Sequence, residues 1–401
     1  MDDRIRSLIE RIQPADAGAM AEARLRQDYR VKVPRSLGRL EEISIRIAGI
    51  TGKPFGNDVG RQAIILMCAD NGVVEEGVAS APQTVTLMQT VNFTKRITGV
   101  GTQAAHFGID ILDIDVGVRL PIPAEFLTDS MLEDDPEGGA PKLARKVVNR
   151  RIADGTRNFL KEPAMTEEET VRAILTGAEA VAAAKAAGIG LLGVGEMGIG
   201  NTTTGSALIC ALTGEKPEKV AGRGGGLNDE GLARKAEVLR LGLEKYGFAG
   251  TFATGAETAH ANSGELMEPD EALRLLSCLG GFDIAGMAGA YLAAAAEKIP
   301  VVVDGVISIA AALLAKAICP QAADYMFTSH RSQESGYSAA AGALGIEPMF
   351  DLGMKLGEGS GCPIAFKIIE AAVTVMNDMW SLEEAQVDSR YLEDLRGGNN
   401  F

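Results

Sequence analysis

The feature that most constrains this chain is a set of short, almost wholly apolar runs that each stop at a carboxylate or a glycine: QAIILMCAD at 62–70, IDILDIDVGV at 109–118, IGLLGVG before Glu196, and IPVVVDGV at 299–306. A run this apolar reads as a strand covered on both faces. Helical patterns lie between the runs, and ADYMFTSH at 323–330 offers a further, weaker strand. Strands alternating with helices define an α/β fold with a mainly parallel sheet flanked by helices. In such sheets ligands bind beyond the carboxyl ends of the strands. The tails MCADNG, VGEMG and VVVDG therefore mark a candidate rim.

Helical spacing also runs through residues 1–50, in RSLIERI and LGRLEEISIRIAGI, punctuated by Pro14 and Pro34. Residues 119–145 are Pro/Gly-rich and acidic and read as a surface insertion, either a solvated excursion or a lid. The tail RGGNNF is expected to fray. With a net charge of −15 the chain repels nucleic acid and anionic membranes, so neither is an expected partner. The five cysteines form no CxxC and no cluster with histidine, which points to free thiols in a reducing compartment. MDDRIRSLIERIQ is neither a secretory signal nor a transit peptide, and no apolar run reaches the ~18 residues of a membrane span. The expected location is the cytoplasm.

The chemistry is narrowed mainly by what is missing. His106, His260 and His330 show no metal-ligand spacing, and HExxH, GxSxG, GxxxxGK[ST] and an early GxGxxG are all absent. What remains is carboxylates in glycine-rich loops. GVGEMGIGNTTTGSALICALTG reads as a strand end, a small-residue loop with Glu196, and a helix capped by Asn201 or Thr202. Such a junction aims backbone N–H groups at an anion, which makes a glutamate there a puzzle. LGEGSG places Glu358 between glycines just before a helix starting near Cys362 and Pro363. That glutamate can cap the helix, pair with a cation or act as a base. Asp70 and Asp304, at strand ends, carry the simpler reading of carboxylates that fix a loop. GRGGGLNDEGLARK offers an anion cradle with Arg223, Arg234 and Lys235, or only a connector before an exposed basic turn. SHRSQESGY supplies Ser329 and Arg331, suited to phosphate or carboxylate. SCLGGFDIAGMAGA has the spacing of small residues that lets helices pack closely. Together these describe a phosphorylated sugar ligand handled by carboxylates.

The motifs GEMGIGNTTTGSAL, GRGGGLNDEGLARK, LGGFDIAGMAGA, VVVDGVISIAAAL, SHRSQESGY and LGEGSG occur in this order, joined by PRSLGRLEE, MCADNGVVEEGV and GTRNFLKEPAMT. In these the chain resembles the nicotinate-nucleotide–dimethylbenzimidazole phosphoribosyltransferase family, from about Pro34 to about Ala372. The resemblance implies a large α/β domain over 61–360 and a small helical domain built from both chain ends, 1–60 and 361–401. It implies a homodimer that needs no metal and no organic cofactor. The reaction implied is transfer of 5-phosphoribosyl from nicotinate mononucleotide to an aromatic acceptor, with nicotinate leaving and the anomeric centre inverting. The family's base falls on Glu358. Glu196 would stabilise the cationic ribosyl centre, which resolves the puzzle of a glutamate beside an anion cradle. Gly198, Asn201, Thr202, Lys235, Gly280, Gly281, Ser329 and Arg331 would hold the nucleotide and its phosphate. Ser80, Met88 and Met197 would line the acceptor pocket.

Three departures from the family pattern stand out: Asn71 in ADNG, Tyr337 closing SHRSQESGY, and Met88 where the family pattern aligns a glutamine, with Gln89 one position on. A one-residue shift on a helix turns a side chain by ~100°. An apolar Met88 in the pocket would favour phenol or p-cresol as acceptor over a benzimidazole. Two further readings compete. A catalytically silent nucleotide-binding paralogue is disfavoured because Glu358, Glu196 and Lys235 are all present. A nucleoside hydrolase-like enzyme would need a DxDxxxDD-type aspartate cluster, which the chain lacks.

Overall fold

The computed structural model describes residues 1–135, 138–249 and 267–388; His260 and the tail RGGNNF lie outside them. The apolar runs all become strands. β1 (Arg61–Ala69), β2 (Asp110–Gly117), β3 (Leu127–Thr128), β6 (Val147–Asn149), β7 (Ile189–Met197), β8 (Val301–Val303) and β9 (Met326–Thr328) form one sheet in the order β3-β6-β2-β1-β7-β8-β9. Every pairing in it is parallel. β1 and β7 are central, with Met67 beside Glu196 and Cys68 beside Met197. β1 is buried along its whole length after Arg61, which is why its sequence shows no apolar–polar alternation.

The insertion at 119–145 departs from the expectation of a solvated excursion. β3 extends the sheet edge, β4 (Leu132–Glu133) pairs with β5 (Lys142–Leu143) as an antiparallel hairpin, and Ile122, Met131, Leu143 and Ala144 are buried. Its apolar residues are spaced too widely to show as a strand in the sequence, yet these four are buried and Phe126, Leu127 and Leu132 pack partly buried against the core, while much of the rest of the segment is exposed.

Successive side chains of a strand point to opposite faces. On β1, Met67 packs against Gly286 while Ile64 and Leu66 face Gly359. Gly286 belongs to α11 (Phe282–Ala296), so this helix covers one face and the LGEGSG loop lies on the other. α11 is buried from Phe282 to Ala295 and packs against α6 (Glu167–Ala186). The close-packing expectation for its small residues holds. A Cβ at Gly289 would lie 1.9 Å from the Ile174 carbonyl oxygen, and one at Gly177 of α6 would lie 2.0 Å from that of Gly286. Overpacking of this kind costs about 1–3 kcal/mol.

At the chain ends, α1 (Asp3–Ile9), α2 (Ala17–Asp28) and α3 (Arg39–Thr51) are followed much later by α14 (Cys362–Asp378), which packs on α2 and α3. Ala23, Ile45, Ala48 and Met376, with Met20 against them, form a satellite core apart from the main one. Between the sheet elements lie α4 (Thr84–Thr94), α5 (Gly99–Phe107), α7 (Asn201–Thr213), the single turn α8 (Pro217–Val220), α9 (Asp229–Lys245), α10 (Pro269–Leu279), α12 (Val306–Ile318) and α13 (Tyr337–Leu344). Among the described residues no helix is long and apolar enough to cross a membrane. All five cysteines are buried free thiols.

Candidate active site

The site grows from the strand ends of β1, β7 and β8. Beyond β8, Asp304 is fully buried, and its two oxygens accept the backbone N–H groups of Gly361 (2.7 Å) and Gly359 (3.0 Å). These bonds pin the loop 357–361. Gly357, Glu358 and Gly359 have φ of +79°, +60° and +73°, three left-handed residues in succession. Glycine adopts this freely, whereas a glutamate there is strained by about 1–3 kcal/mol. The flanking glycines and the two amide bonds to Asp304 hold Glu358 in that conformation.

Glu358 is buried, and Gln89 of α4 donates to its Oε1 at 2.9 Å. Its Oε2 has no partner among the described residues and lies beside Gly99 at the start of α5. Burial pushes its pKa above the usual glutamate value, against the hydrogen bond from Gln89. Glu196 sits across the same loop. The Glu358 backbone N–H approaches its Oε1 at 3.4 Å, and Asn201 donates to its Oε2. Burial, then the nearby Asp283, raises Glu196 to about 8. Asn201 also bonds Asp283 at 3.0 Å, and Asp283 is raised to about 6 by burial. Burial likewise raises Asp304 to about 7.

The expected N-cap of α7 is corrected here. Gly200, at φ +99°, is the cap and makes no side-chain cap bond, while Asn201 is the first helical residue. Its amide is already engaged by Glu196 and Asp283, so it cannot fold back on the helix end. Thr202 accepts instead from Lys235 Nζ at 2.8 Å. Lys235 is fully buried; its other bond is to the Gly222 carbonyl at 3.1 Å, and burial lowers it to about 8. Its hydrogen-bond partners among the described residues are therefore neutral. Lys235 thus departs from the plain reading of GRGGGLNDEGLARK as a connector before an exposed turn, whereas Arg223 and Arg234 are exposed as that reading expects. The glycine loop closes against the rim: a Cβ at Gly224 would lie 3.0 Å from Thr202 Oγ1, and one at Gly225 3.2 Å from Ser80 Oγ.

The remaining candidates divide. Gly198 is packed so tightly that a Cβ would meet the Ala69 carbonyl at 2.2 Å and Asp283 at 2.8 Å. Gly281 caps α11 against Asp283 and Asn71, and Gly280 closes α10 over Leu276. Ser329 is buried and meets His330 Nδ1 (3.0 Å) and the Asp304 carbonyl (3.3 Å), so it braces Asp304. Arg331 is turned outward: its side chain is half exposed and its charged neighbour is Asp351, at 3.8 Å. The chain turns outward after the buried His330, which carries Arg331 to the surface. Met197 is buried at the end of β7.

Met88 is the clearest correction. It is 61% exposed, while Gln89 makes the bond to Glu358. Gln89 is therefore the α4 side chain that reaches the glutamate, and the pocket reading of Met88 loses its support because the helix turns it outward. Sequence reasoning missed Gln89 for that reason, and it underrated Asp283 and Asp304, whose partners are distant in sequence. Asn71 is buried, and its Oδ1 accepts from Thr204 at 3.4 Å. A recess of about 760 Å³ lies elsewhere, lined by Arg39, Arg46 and Lys316 among others. Those cations donate to the backbone carbonyls of 347–348, 323–326 and 343–344 and tie the fold together.

The rim thus gathers a buried glutamate in a strained loop, a second carboxylate beside it and a buried lysine under a glycine loop, and the family model that matches residues 12–387 is described as a phosphoribosyltransferase. The chain is 42% identical to the nicotinate-nucleotide–dimethylbenzimidazole phosphoribosyltransferase of Clostridium perfringens strain 13, over 98% of both chains, and 38% identical to that of Chloroflexus aurantiacus strain J-10-fl, over 97% of this chain and 99% of the relative. The crystal structure of CobT from Thermus thermophilus superposes with a TM-score of 0.78 at 36% identity, covering 92% of this chain and 99% of that one. The chain belongs to the nicotinate-nucleotide–dimethylbenzimidazole phosphoribosyltransferase family, and it is a transferase.

Proposed function

We propose that this enzyme transfers 5-phosphoribosyl from nicotinate mononucleotide to 5,6-dimethylbenzimidazole or a related lower-ligand base, with Glu358 as the general base. The observation that carries the reading is the unpartnered, buried Oε2 of Glu358, held in a left-handed loop by Gln89 and Asp304. One acceptor nitrogen attacks the anomeric carbon, the bond to nicotinate breaks with its electron pair, and Glu358 takes the proton from the other acceptor nitrogen. Base catalysis of this kind contributes ~10²–10⁴-fold. Glu196 faces the ribosyl centre, whose developing positive charge favours the carboxylate over the acid form that burial favours in the free chain. Lys235, with the glycine loop at 222–226, meets the phosphate. Attack from the face opposite nicotinate yields the α-riboside 5'-phosphate.

The phenolic reading rested on Met88 in the pocket and loses that support. The transferase acts as a homodimer in this reading, supported by the exposed Ile97, Leu352 and Leu356, the last of which packs on Gly99 beside Glu358. The satellite core supports a small domain made from both chain ends. The free thiols support a cytoplasmic location. The test is incubation with nicotinate mononucleotide and, separately, dimethylbenzimidazole, adenine, phenol and p-cresol, with products followed by mass spectrometry. A benzimidazole riboside phosphate that disappears with Glu358→Ala is the expected result. Product from phenolics alone would overturn the acceptor assignment, and light scattering that gives a monomer would overturn the dimer.

A further inference from the structure

One buried hydroxyl lies between the supports of the two glutamates. Thr86 of α4 is fully buried, and its Oγ1 makes two bonds. It accepts the backbone N–H of Ile199 at 3.1 Å and lies 2.7 Å from Asp70 Oδ1. An amide N–H only donates, so the proton of the hydroxyl goes to Asp70. Asp70, fully buried just past the end of β1, is itself held. Its Oδ2 accepts the Arg119 N–H at 2.8 Å, and its backbone bonds Gly117 and Thr156. Ile199 is held from its other side as well, because its carbonyl accepts the Asn71 N–H at 3.3 Å. Thr86 therefore fastens α4 to the loop between β7 and α7, with Asp70 as the anchor.

Each fastened segment carries the donor of one glutamate. Gln89, three residues after Thr86, bonds Glu358; Asn201, two residues after Ile199, bonds Glu196 and Asp283. Residues three apart are neighbours on a helix surface, so holding Thr86 holds the amide that reaches Glu358. The charges that act nearby are Asp283 and Asp304 on Glu196, and Arg119 and Arg151 on Asp70, while Gln89 is the polar group that acts on Glu358. α4 itself carries no charged residue. What this helix brings to the site is hydrogen bonds, and an apolar side chain at Thr86 alters their placement without altering the charge.

We propose that Thr86 is a positioning residue for both glutamates: its hydroxyl, anchored on Asp70, places Gln89 on Glu358 and Asn201 on Glu196. Its effect on turnover rests on the roles proposed for those glutamates; the placement of the two donors does not.

Thr86→Val has nearly the shape of threonine and removes the hydroxyl, and Thr86→Ser restores it. Thr86→Ala serves as the same test where valine crowds the site. Infrared difference titration of the full chain reads the two carboxyl groups without turnover, each band assigned by its loss in Glu196→Gln or Glu358→Gln. Both amides favour the carboxylate, so removing the hydroxyl is expected to move both midpoints upward by ~0.4–1 unit, the size of one neutral hydrogen bond, and Thr86→Ser to bring them back. Turnover at neutral pH is expected to fall by ~10-fold, with its onset moved to higher pH. Thr90, equally buried one turn on, donates to the Thr86 carbonyl at 2.7 Å, and Thr90→Val is expected to leave both midpoints in place. Lower stability to urea with both midpoints unmoved, or an equal shift in Thr90→Val, would overturn the proposal. Failure of the unaltered chain to form any riboside phosphate would overturn the assigned reaction instead, and the infrared titration would still decide the role of Thr86.

Discussion

The rim holds two buried poles that differ in sign and agree in physics. On one side stand Glu196, Asp283, Asp304 and Glu358; on the other stands Lys235, on which Glu334 exerts only a minor pull. A carboxylate and an ammonium that answered each other would drive the first pKa down and the second up. Here burial raises the acids, Glu196 to about 8 and Asp304 to about 7, and lowers Lys235 to about 8. Neither pole is neutralised by the other, so both are poised for charge that arrives with the substrate. A phosphate suits Lys235, and a centre that becomes cationic during reaction suits Glu196.

Substitutions at each pole sharpen that contrast. The largest effect is expected for Glu358→Gln: a loss of ~10²–10⁴-fold in kcat with nucleotide binding retained, read by steady-state kinetics beside a direct titration. Unchanged turnover would remove Glu358 from the role of base. Asp304→Asn is next. Asparagine has only one oxygen, so one of the Gly359 and Gly361 amides would face an NH2 group. A kcat loss of ~10–100-fold is expected, of the size of one or two charge-assisted bonds, with KM for the nucleotide nearly unchanged. A rise in KM alone would show that Asp304 does not act through the Glu358 loop. At the basic pole the pattern reverses: Lys235→Gln raises KM for the nucleotide by ~10–100-fold and leaves kcat within a few-fold.

These assignments also separate what the sequence reveals from what it conceals. The sheet is legible because β1 and β7 are apolar on both faces, and a doubly covered strand has no other composition available. Glu358 and Lys235 are legible through the glycines around them, since left-handed backbone and tight loops leave a compositional trace. Asp304 reads only as a carboxylate that fixes a loop. That the loop is the one carrying Glu358, over fifty residues away, emerges only when β8 is laid beside β7. Arg331 misleads for a related reason: a basic residue next to a buried serine and histidine is turned to solvent, and one-dimensional proximity conceals the turn.

The two poles tilt stability in opposite directions with pH. Glu196 holds its proton to about pH 8 when folded but only to the ordinary glutamate range near 4.5 when unfolded. Between those values the folded chain binds more protons, so its contribution falls as pH rises, by at most ~1.4 kcal/mol per pH unit. Lys235 releases its proton near 8 when folded and near 10.5 when unfolded, so between those values its contribution rises with pH. Urea denaturation at pH 5, 7, 8 and 9.5 measures both limbs. Glu196→Gln is expected to flatten the lower limb and Lys235→Gln the upper one. A lower limb unaffected by Glu196→Gln would mean that Glu196 is ionised in the free enzyme.

The smallest effect gives the finest test, because it compares two neighbours on one helix. Gln89 reaches Glu358 and in turn accepts from Asn92 at 3.1 Å, whereas Met88 stands in solvent. Removing the amide with Gln89→Ala leaves Glu358 without its donor, and that donor is what holds its pKa down against burial. Turnover is expected to fall by ~2–12-fold, the size of one neutral hydrogen bond. The pH at which activity appears should move upward, because a higher pKa delays formation of the carboxylate that takes the proton. A purely structural role for Gln89 would lower activity at every pH without moving that onset. Met88→Ala is expected to leave both rate and onset unchanged. If instead Met88→Ala altered the choice between benzimidazole and phenol while Gln89→Ala did not, α4 would present its other side to the acceptor, and Glu358 would owe its position to the Asp304 loop alone.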